Sequence, residues 1–245
     1  FKAQILQHYS NILSTHSSDV ARGCAARGLR EVFSAHSIFV ATKAIKSGQQ
    51  SQFVQSDLIE ALEYLIERYS LNTTNYEYFD ELVELLIKKA EDENSSIRLR
   101  VHSLKALGRL RWADARLLNR VAEVLRLDSD PTVQETASWA LIRLYVSTKN
   151  ILHIDNCLKT LLAFIKGEHN GRRSYLLENY IRADLKWLAG FSSDKYLRAQ
   201  VRKIPLSKPV PVINPIVFLN VEQLLTTGTT EIERSLSAEN VSKLL

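Results

Sequence analysis

The first 204 residues contain one proline, Pro131, while the other four stand together at positions 205, 209, 211 and 215. Proline removes a backbone donor and collides with the preceding turn of a helix, so its near absence over two hundred residues leaves long helices unbroken. Eight glycines in 245 residues add few further breaks. A chain of this length buries a substantial core. Its hydrophobic content of 45% and charged content of 24% are those of an ordinary globular protein. No stretch approaches the roughly 18 uninterrupted apolar residues of a membrane span. An all-α fold follows from these features.

The stretch "DPTVQETASWALIRL", residues 130–144, shows how one such helix is written. Asp130 is suited to cap the first turn, and Pro131 to the first helical position, where its missing N–H costs nothing. Val133, Ala137, Ala140, Leu141 and Leu144 then recur on one face. The small Ala137 and Ala140 allow a neighbouring helix close. Thirty-four residues earlier, "SIRLRVHSLKALGRL" places Leu99, Ser103, Ala106, Leu107 and Leu110 at the same positions, although an offset of 36 also aligns Ile97 with Val133. Seventy-nine residues earlier, "DLIEALEYLIERY" supplies Leu58, Ala61, Leu62 and Leu65. A second apolar-striped segment follows each: "YFDELVELLIKKA", "ADARLLNRVAEVLRL" and "HIDNCLKTLLAFIKG". In the last two, Val121, Val124 and Leu125 align with Leu158, Leu161 and Leu162. A helix pair recurring every 34 to 45 residues predicts an α-solenoid, in which each pair buries its apolar face only against its neighbours.

The acidic-proline start, branched apolar residue and small-apolar pairs of residues 130–144, with "ALG" at 106–108, resemble the HEAT and armadillo repeat class. The resemblance is fullest over 94–166 and extends over 19–92 and 171–203. It implies a HEAT-like solenoid serving as a scaffold and binding surface, and it specifies a fold more than an activity. An earlier repeat helix is expected at 17–33 with Val20, Cys24, Leu29 and Phe33 inward. A later one is expected at 172–191 with Leu176, Tyr180, Leu185, Trp187 and Leu188 as its apolar residues. Three regions result: a solenoid over 1–204, an extended proline-rich strap or linker over 205–219, and short C-terminal helices over 220–245.

Signatures of chemistry are scarce. No glycine-rich phosphate loop, no GxSxG and no Cys-His signature occurs. The six histidines are scattered, and His8 with His16 is the nearest approach to a ligand pair, so no metal, no cofactor and no catalytic residue is expected. Cys24 and Cys157 read as reduced core thiols. Asp80, Glu81 and Glu84 suit the first turn of a helix, whereas Glu91, Asp92 and Glu93 read as a solvated loop. The glycosylation triplets at Asn72, Asn94 and Asn240 carry no weight without a leader, and "FKAQILQHYS" has no leader pattern. The expected location is intracellular, cytoplasmic or nuclear. The Phe1 start suggests a fragment or subunit of something larger.

Positive charge is the feature that bears on partners. Arg98, Arg100, Lys105, Arg109, Arg111, Arg116, Arg120 and Arg126 face only Asp114 and Glu123 in their stretch, and ten basic residues oppose four acidic ones over 166–208. Guanidinium groups suit bidentate phosphate or carboxylate contacts. Against this, helical spacing spreads these charges over several faces, and the acidic stretch at 77–93 is placed to neutralise them. The expected function is a non-catalytic protein-interaction scaffold that binds a protein partner through Arg98, Arg100, Arg109, Arg111 and Arg116, with the 205–218 strap as a second docking segment. A nucleic-acid-binding solenoid is the alternative. Two further readings are a sensor or regulatory segment of a larger signalling ATPase, and a HEAT-like DNA glycosylase drawing on Trp112, Asp114, Trp139 and Trp187.

Overall fold

The computed structural model describes residues 1–32, 34–71, 76–148, 151–167 and 175–205. Among them every regular element is a helix, and no strand occurs. The helices are α1 (Lys2–Thr15), α2 (Asp19–Val32), α3 (Ala35–Lys46), α4 (Gln52–Tyr69), α5 (Phe79–Glu91) and α6 (Ile97–Gly108). They continue with α7 (Ala115–Leu127), α8 (Pro131–Thr148), α9 (Ile151–Lys166), α10 (Tyr175–Ala189) and α11 (Lys195–Lys203). None of these helices is long and apolar enough to cross a membrane. The strap beyond Pro205, the C-terminal helices expected at 220–245, Phe33, and the side chains of Leu176 and Tyr180 lie outside what the structure describes.

Local chemistry sets the helix boundaries. The Ser51 hydroxyl accepts from the Val54 amide, Ser96 from Leu99, and the Asp114 carboxylate from Leu117. Asp130 accepts from both Thr132 and Val133, as its position before Pro131 predicts. Each cap satisfies a first-turn donor that has no partner within the helix. At the other end, α3 stops at Ser47, and the chain turns through Gly48 at φ +70°, a conformation that glycine adopts without steric cost.

The even-numbered helices share one internal register. The backbone carbonyls of Ser18, Ser51, Ser96 and Asp130 accept the first helical bond of α2, α4, α6 and α8, from Arg22, Gln55, Arg100 and Gln134. These starting residues are spaced by 33, 45 and 34 positions. Counted from them, the eleventh residue is Leu29, Leu62, Leu107 or Leu141, and all four are fully buried. The fourteenth is Val32, Leu65, Leu110 or Leu144, all buried. The tenth is small in every case: Gly28, Ala61, Ala106 or Ala140. The α6–α8 offset is therefore 34. An offset of 36 would carry the exposed Ile97 onto the buried Val133.

Packing follows the same order. Consecutive helices pair as α1–α2, α3–α4, α5–α6, α7–α8 and α9–α10. Each even helix also packs on the next even one, from α2 to α10, and each odd helix on the next odd one, from α1 to α11. One continuous core runs between the two files, from Leu6 through Val201. Burying each leucine in it contributes about 1.5–3 kcal/mol. The expected second helices are all present, and Val121, Val124, Leu125, Leu158, Leu161 and Leu162 are buried as a set.

Helix α2 departs from expectation. Val20 is 68% exposed and Cys24 is exposed, whereas Ala25, Ala26, Leu29 and Val32 face inward. Val20 and Cys24 occupy the second and sixth positions after the start, the positions that in α4 hold Phe53 and Asp57 and in α6 hold Arg98 and His102. α2 is held between α1 and α4, so its small residues meet the neighbours and its cysteine stays outside. Trp187, expected among the apolar residues of α10, is half exposed, while Leu185 and Leu188 are buried.

Candidate interaction face

The outward positions of α2, α4, α6 and α8 form one face, and a ladder of ion pairs crosses it. Asp57 on α4 has no exposed side-chain area, and it accepts from Arg27 of α2 at 2.5 Å and from Arg98 of α6 at 2.8 Å. Arg98 also reaches Glu60 at 3.0 Å and lies over the Phe53 ring. Burial works against the Arg98 charge, but the Glu60 and Asp57 carboxylates outweigh it and raise the pKa. One turn on, Glu63 meets His102 Nδ1 at 3.1 Å and the Arg109 guanidinium at 2.8 Å, and Arg109 also pairs with Glu67. Burial alone would raise the Glu63 pKa. The hydrogen bond from His102 and the charge and hydrogen bond of Arg109 more than offset it, so the carboxyl sits below its usual range.

The helix spacing of Asp57, Glu60, Glu63 and Glu67 puts four acids on one face of α4, between basic residues of its two neighbours. A carboxylate removed from water needs such partners, because an unpaired buried charge is expensive.

Arg100, expected among the exposed arginines, is buried instead. It sits four residues after the α6 start, the position of Gln55 in α4 and Gln134 in α8. All three side chains turn inward to polar groups between helices. Gln55 donates to the Gln50 carbonyl, Gln134 to the Asp128 carbonyl, and Arg100 pairs with the Asp128 carboxylate. The helix period alone does not reveal this site, because the position is polar in every repeat. The repetition of a long donor at the fourth residue was the signal available.

The odd file neutralises its own arginines. Arg116 meets Glu84 at 3.1 Å, and Arg120 joins Glu84 and Glu91. Glu91 is thus not part of a solvated loop, and Asp92 accepts from the Ser95 hydroxyl and the Asn94 amide. Of the basic stretch that follows, the acidic one neutralises Arg116 and Arg120, while Arg98, Arg100 and Arg109 take their carboxylates from elsewhere.

On the even face the ladder ends at α8, whose single acidic residue is Glu135. α4 presents Glu63 and Glu67 to Arg109 from one side, whereas α8 presents Trp139 from the other, with Arg109 at 6.0 Å and Arg143 at 5.0 Å from its ring centre. Between α6, α8 and α10 lies a cavity of about 420 Å³. Its lining includes Arg109, Arg111, Arg143, Ile142 and Trp187, with Glu67 as its one carboxylate. Neither Arg111 nor Arg143 has an ion-pair partner among the described residues. Both are exposed.

The four residues considered for a glycosylase site are not brought together. Trp112 stacks edge-on against Phe79 and shares a different cavity with Asp114, between α5 and α7. Asp114 caps α7. Trp139 and Trp187 stand on the even face. Among the described residues no group of three or more His, Cys, Asp or Glu side chains is placed to hold a metal ion. The chain matches no family model, and no curated protein is detectably similar to it in sequence.

Proposed function

We propose that the chain is a non-catalytic, HEAT-like solenoid segment that holds a protein partner on its even-helix face. The shared register of α2, α4, α6 and α8 carries this reading, because identical positions recurring along one face offer a partner a continuous, rigidly spaced surface. Of the five arginines expected to bind, Arg98 and Arg109 are engaged by carboxylates of α4, Arg100 by Asp128 just past α7, and Arg116 by Glu84. Arg111 remains as the binding residue of that set. This pairing also weighs against the nucleic-acid alternative, since a phosphate backbone is held by a row of uncompensated cations. The dispersal of Trp112, Asp114, Trp139 and Trp187 weighs against the glycosylase reading. An exposed thiol at Cys24 fits a reducing, intracellular compartment, cytoplasmic or nuclear. The signalling-ATPase reading places the same scaffold beside a nucleotide domain and alters nothing about this face.

Fluorescence anisotropy with labelled duplex DNA and single-stranded RNA, at low and near-physiological salt, tests the assignment. The scaffold reading expects no submicromolar complex at about 150 mM salt. A submicromolar complex that weakens steeply with salt, and weakens again in Arg98→Ala/Arg111→Ala, replaces it with the nucleic-acid reading.

A further inference from the structure

The even face is electrically divided. From α2 to α6, Arg27, Arg98 and Arg109 are matched by Asp57, Glu60, Glu63 and Glu67. From α8 onward no carboxylate ladder continues, and Arg111 and Arg143 stand without ion-pair partners among the described residues at the mouth of the cavity. The same cavity carries an exposed aromatic surface: Trp187 is 50% exposed and packs edge-on against Phe191, itself 54% exposed. Two guanidinium groups beside an uncovered indole match a ligand that is anionic at one end and apolar next to it.

We propose that the cavity between α6, α8 and α10 receives an acidic side chain of an extended peptide, a carboxylate or a phosphorylated residue, with an adjacent apolar residue of that peptide covering Trp187. The proposal rests on the scaffold reading and names the chemistry of the partner it holds. Arg111 and Arg143 supply the two guanidinium forks for the oxyanion. Trp139 holds Arg143 in place: the guanidinium lies 5.0 Å from the ring centre, which orients its donors without neutralising its charge. Arg109 takes no direct part, because Glu63 and Glu67 already occupy it. Glu67 shares the lining and is paired with Arg109, so the free positive charge is confined to Arg111 and Arg143, and the site suits a short acidic motif with an apolar neighbour rather than an unbroken row of phosphates. A cavity of about 420 Å³ fits two side chains and not a duplex.

The test uses the full 245-residue chain and fluorescein-labelled peptides of about twelve residues, matching the extended mode of peptide capture. Three peptides share a Gly/Ser/Ala background and a central leucine, followed by Glu-Glu, by phosphoserine, or by Gln-Gln. At about 150 mM salt the acidic peptides bind in the range of about 10–100 μM, and the Gln-Gln peptide binds at least about tenfold more weakly. The ratio between the Glu-Glu and phosphoserine arms identifies the source of the oxyanion. Arg111→Ala/Arg143→Ala removes at least about tenfold of acidic-peptide binding, and Trp187→Ala weakens both acidic peptides by about threefold to tenfold. Arg116→Ala, on the odd file, leaves binding unchanged. Both arginines are exposed and have no ion pair among the described residues, so their variants fold, and a circular dichroism melt verifies it. Equal binding of acidic and Gln-Gln peptides overturns the proposal, as does insensitivity to Arg111→Ala/Arg143→Ala. If neither the peptides nor nucleic acid bind, this site is refuted while the scaffold reading stands. If nucleic acid instead binds submicromolarly through the same two arginines, both fall together.

Discussion

Gly108 lies directly against Ala140. A methyl group placed on Gly108 would stand 2.9 Å from the Ala140 Cα and 2.6 Å from the Trp139 ring. Two small residues therefore set how closely α6 and α8 approach, and besides the Trp139 ring the obstacle is Ala140 backbone, which has no rotamer to change.

Gly108→Ala consequently destabilises the fold even though alanine is the better helix former. The overpacking cost of about 1–3 kcal/mol outweighs a propensity gain of about 1 kcal/mol. Urea unfolding of the two chains measures the difference. A stabilised variant would mean that α6 and α8 separate freely.

The Asp57 clamp offers a second measurement. Asp57→Ala removes a buried acceptor shared by α2 and α6, with an expected loss of about 2–3 kcal/mol. That falls about 1–2 kcal/mol short of the 3–5 typical of breaking a fully buried pair, because Arg27 and Arg98 are each 44% exposed and turn to solvent. A double-mutant cycle with Arg98→Ala then shows a coupling energy of at least about 0.5 kcal/mol. Strict additivity would remove the clamp from the account. Arg100→Ala, which strands the buried Asp128, reaches the full range of about 3–5 kcal/mol.

Two carboxyls respond to pH with opposite sign. Glu63 is held below its usual range once the His102 and Arg109 contacts outweigh burial, so its stabilising contribution is present above the ordinary carboxylate range and is lost as pH falls through the lowered folded value. Asp184 is raised by burial, so the folded chain favours its protonated form, and this contribution fades as pH climbs from the ordinary aspartate range through the raised value. Asp184→Asn is therefore more stable than the parent at about pH 7 and gains nothing at about pH 3, below the ordinary aspartate value. Glu63→Gln loses stability at about pH 7 and shows a flatter acid limb. Thermal melts across this range check both signs, and identical profiles for Asp184→Asn and the parent would contradict the burial argument.

Thiol reactivity separates the two cysteines. Cys24 is exposed, while Cys157 is buried and its pKa is pushed well up by burial, with the negative charge of Asp184 adding to it. A maleimide reagent labels one thiol of the native chain at once and the second only on unfolding. Fast labelling of Cys157 would show that α8, α9 and α10 open readily.

Helix type and position were legible because they depend on neighbours along the chain. The scarcity of proline, the Asp130–Pro131 start and the apolar period of α4 to α9 each act within a few residues. Even the closeness of α6 and α8 was hinted at by Ala137 and Ala140. The fate of the arginines was not legible in the same way. Arg98 and Arg111 look alike in sequence, yet one meets carboxylates on α4 that lie 38 and 41 residues away while the other meets none among the described residues. Cys24 likewise fits an apolar period that α2 does not bury, because α1 and α4 claim its other sides. Periodicity reports that a helix has a face; it carries no information on which neighbour covers that face or what charge the neighbour brings. Sequence by itself determined the helical class, the Asp130 cap and the helix-pair recurrence over α4 to α9, since those are local free energies. Tertiary packing alone decided which charges cancel across α2, α4 and α6, and where the cancellation stops at α8, since a Coulomb interaction between helices depends on distances that only the assembled fold defines.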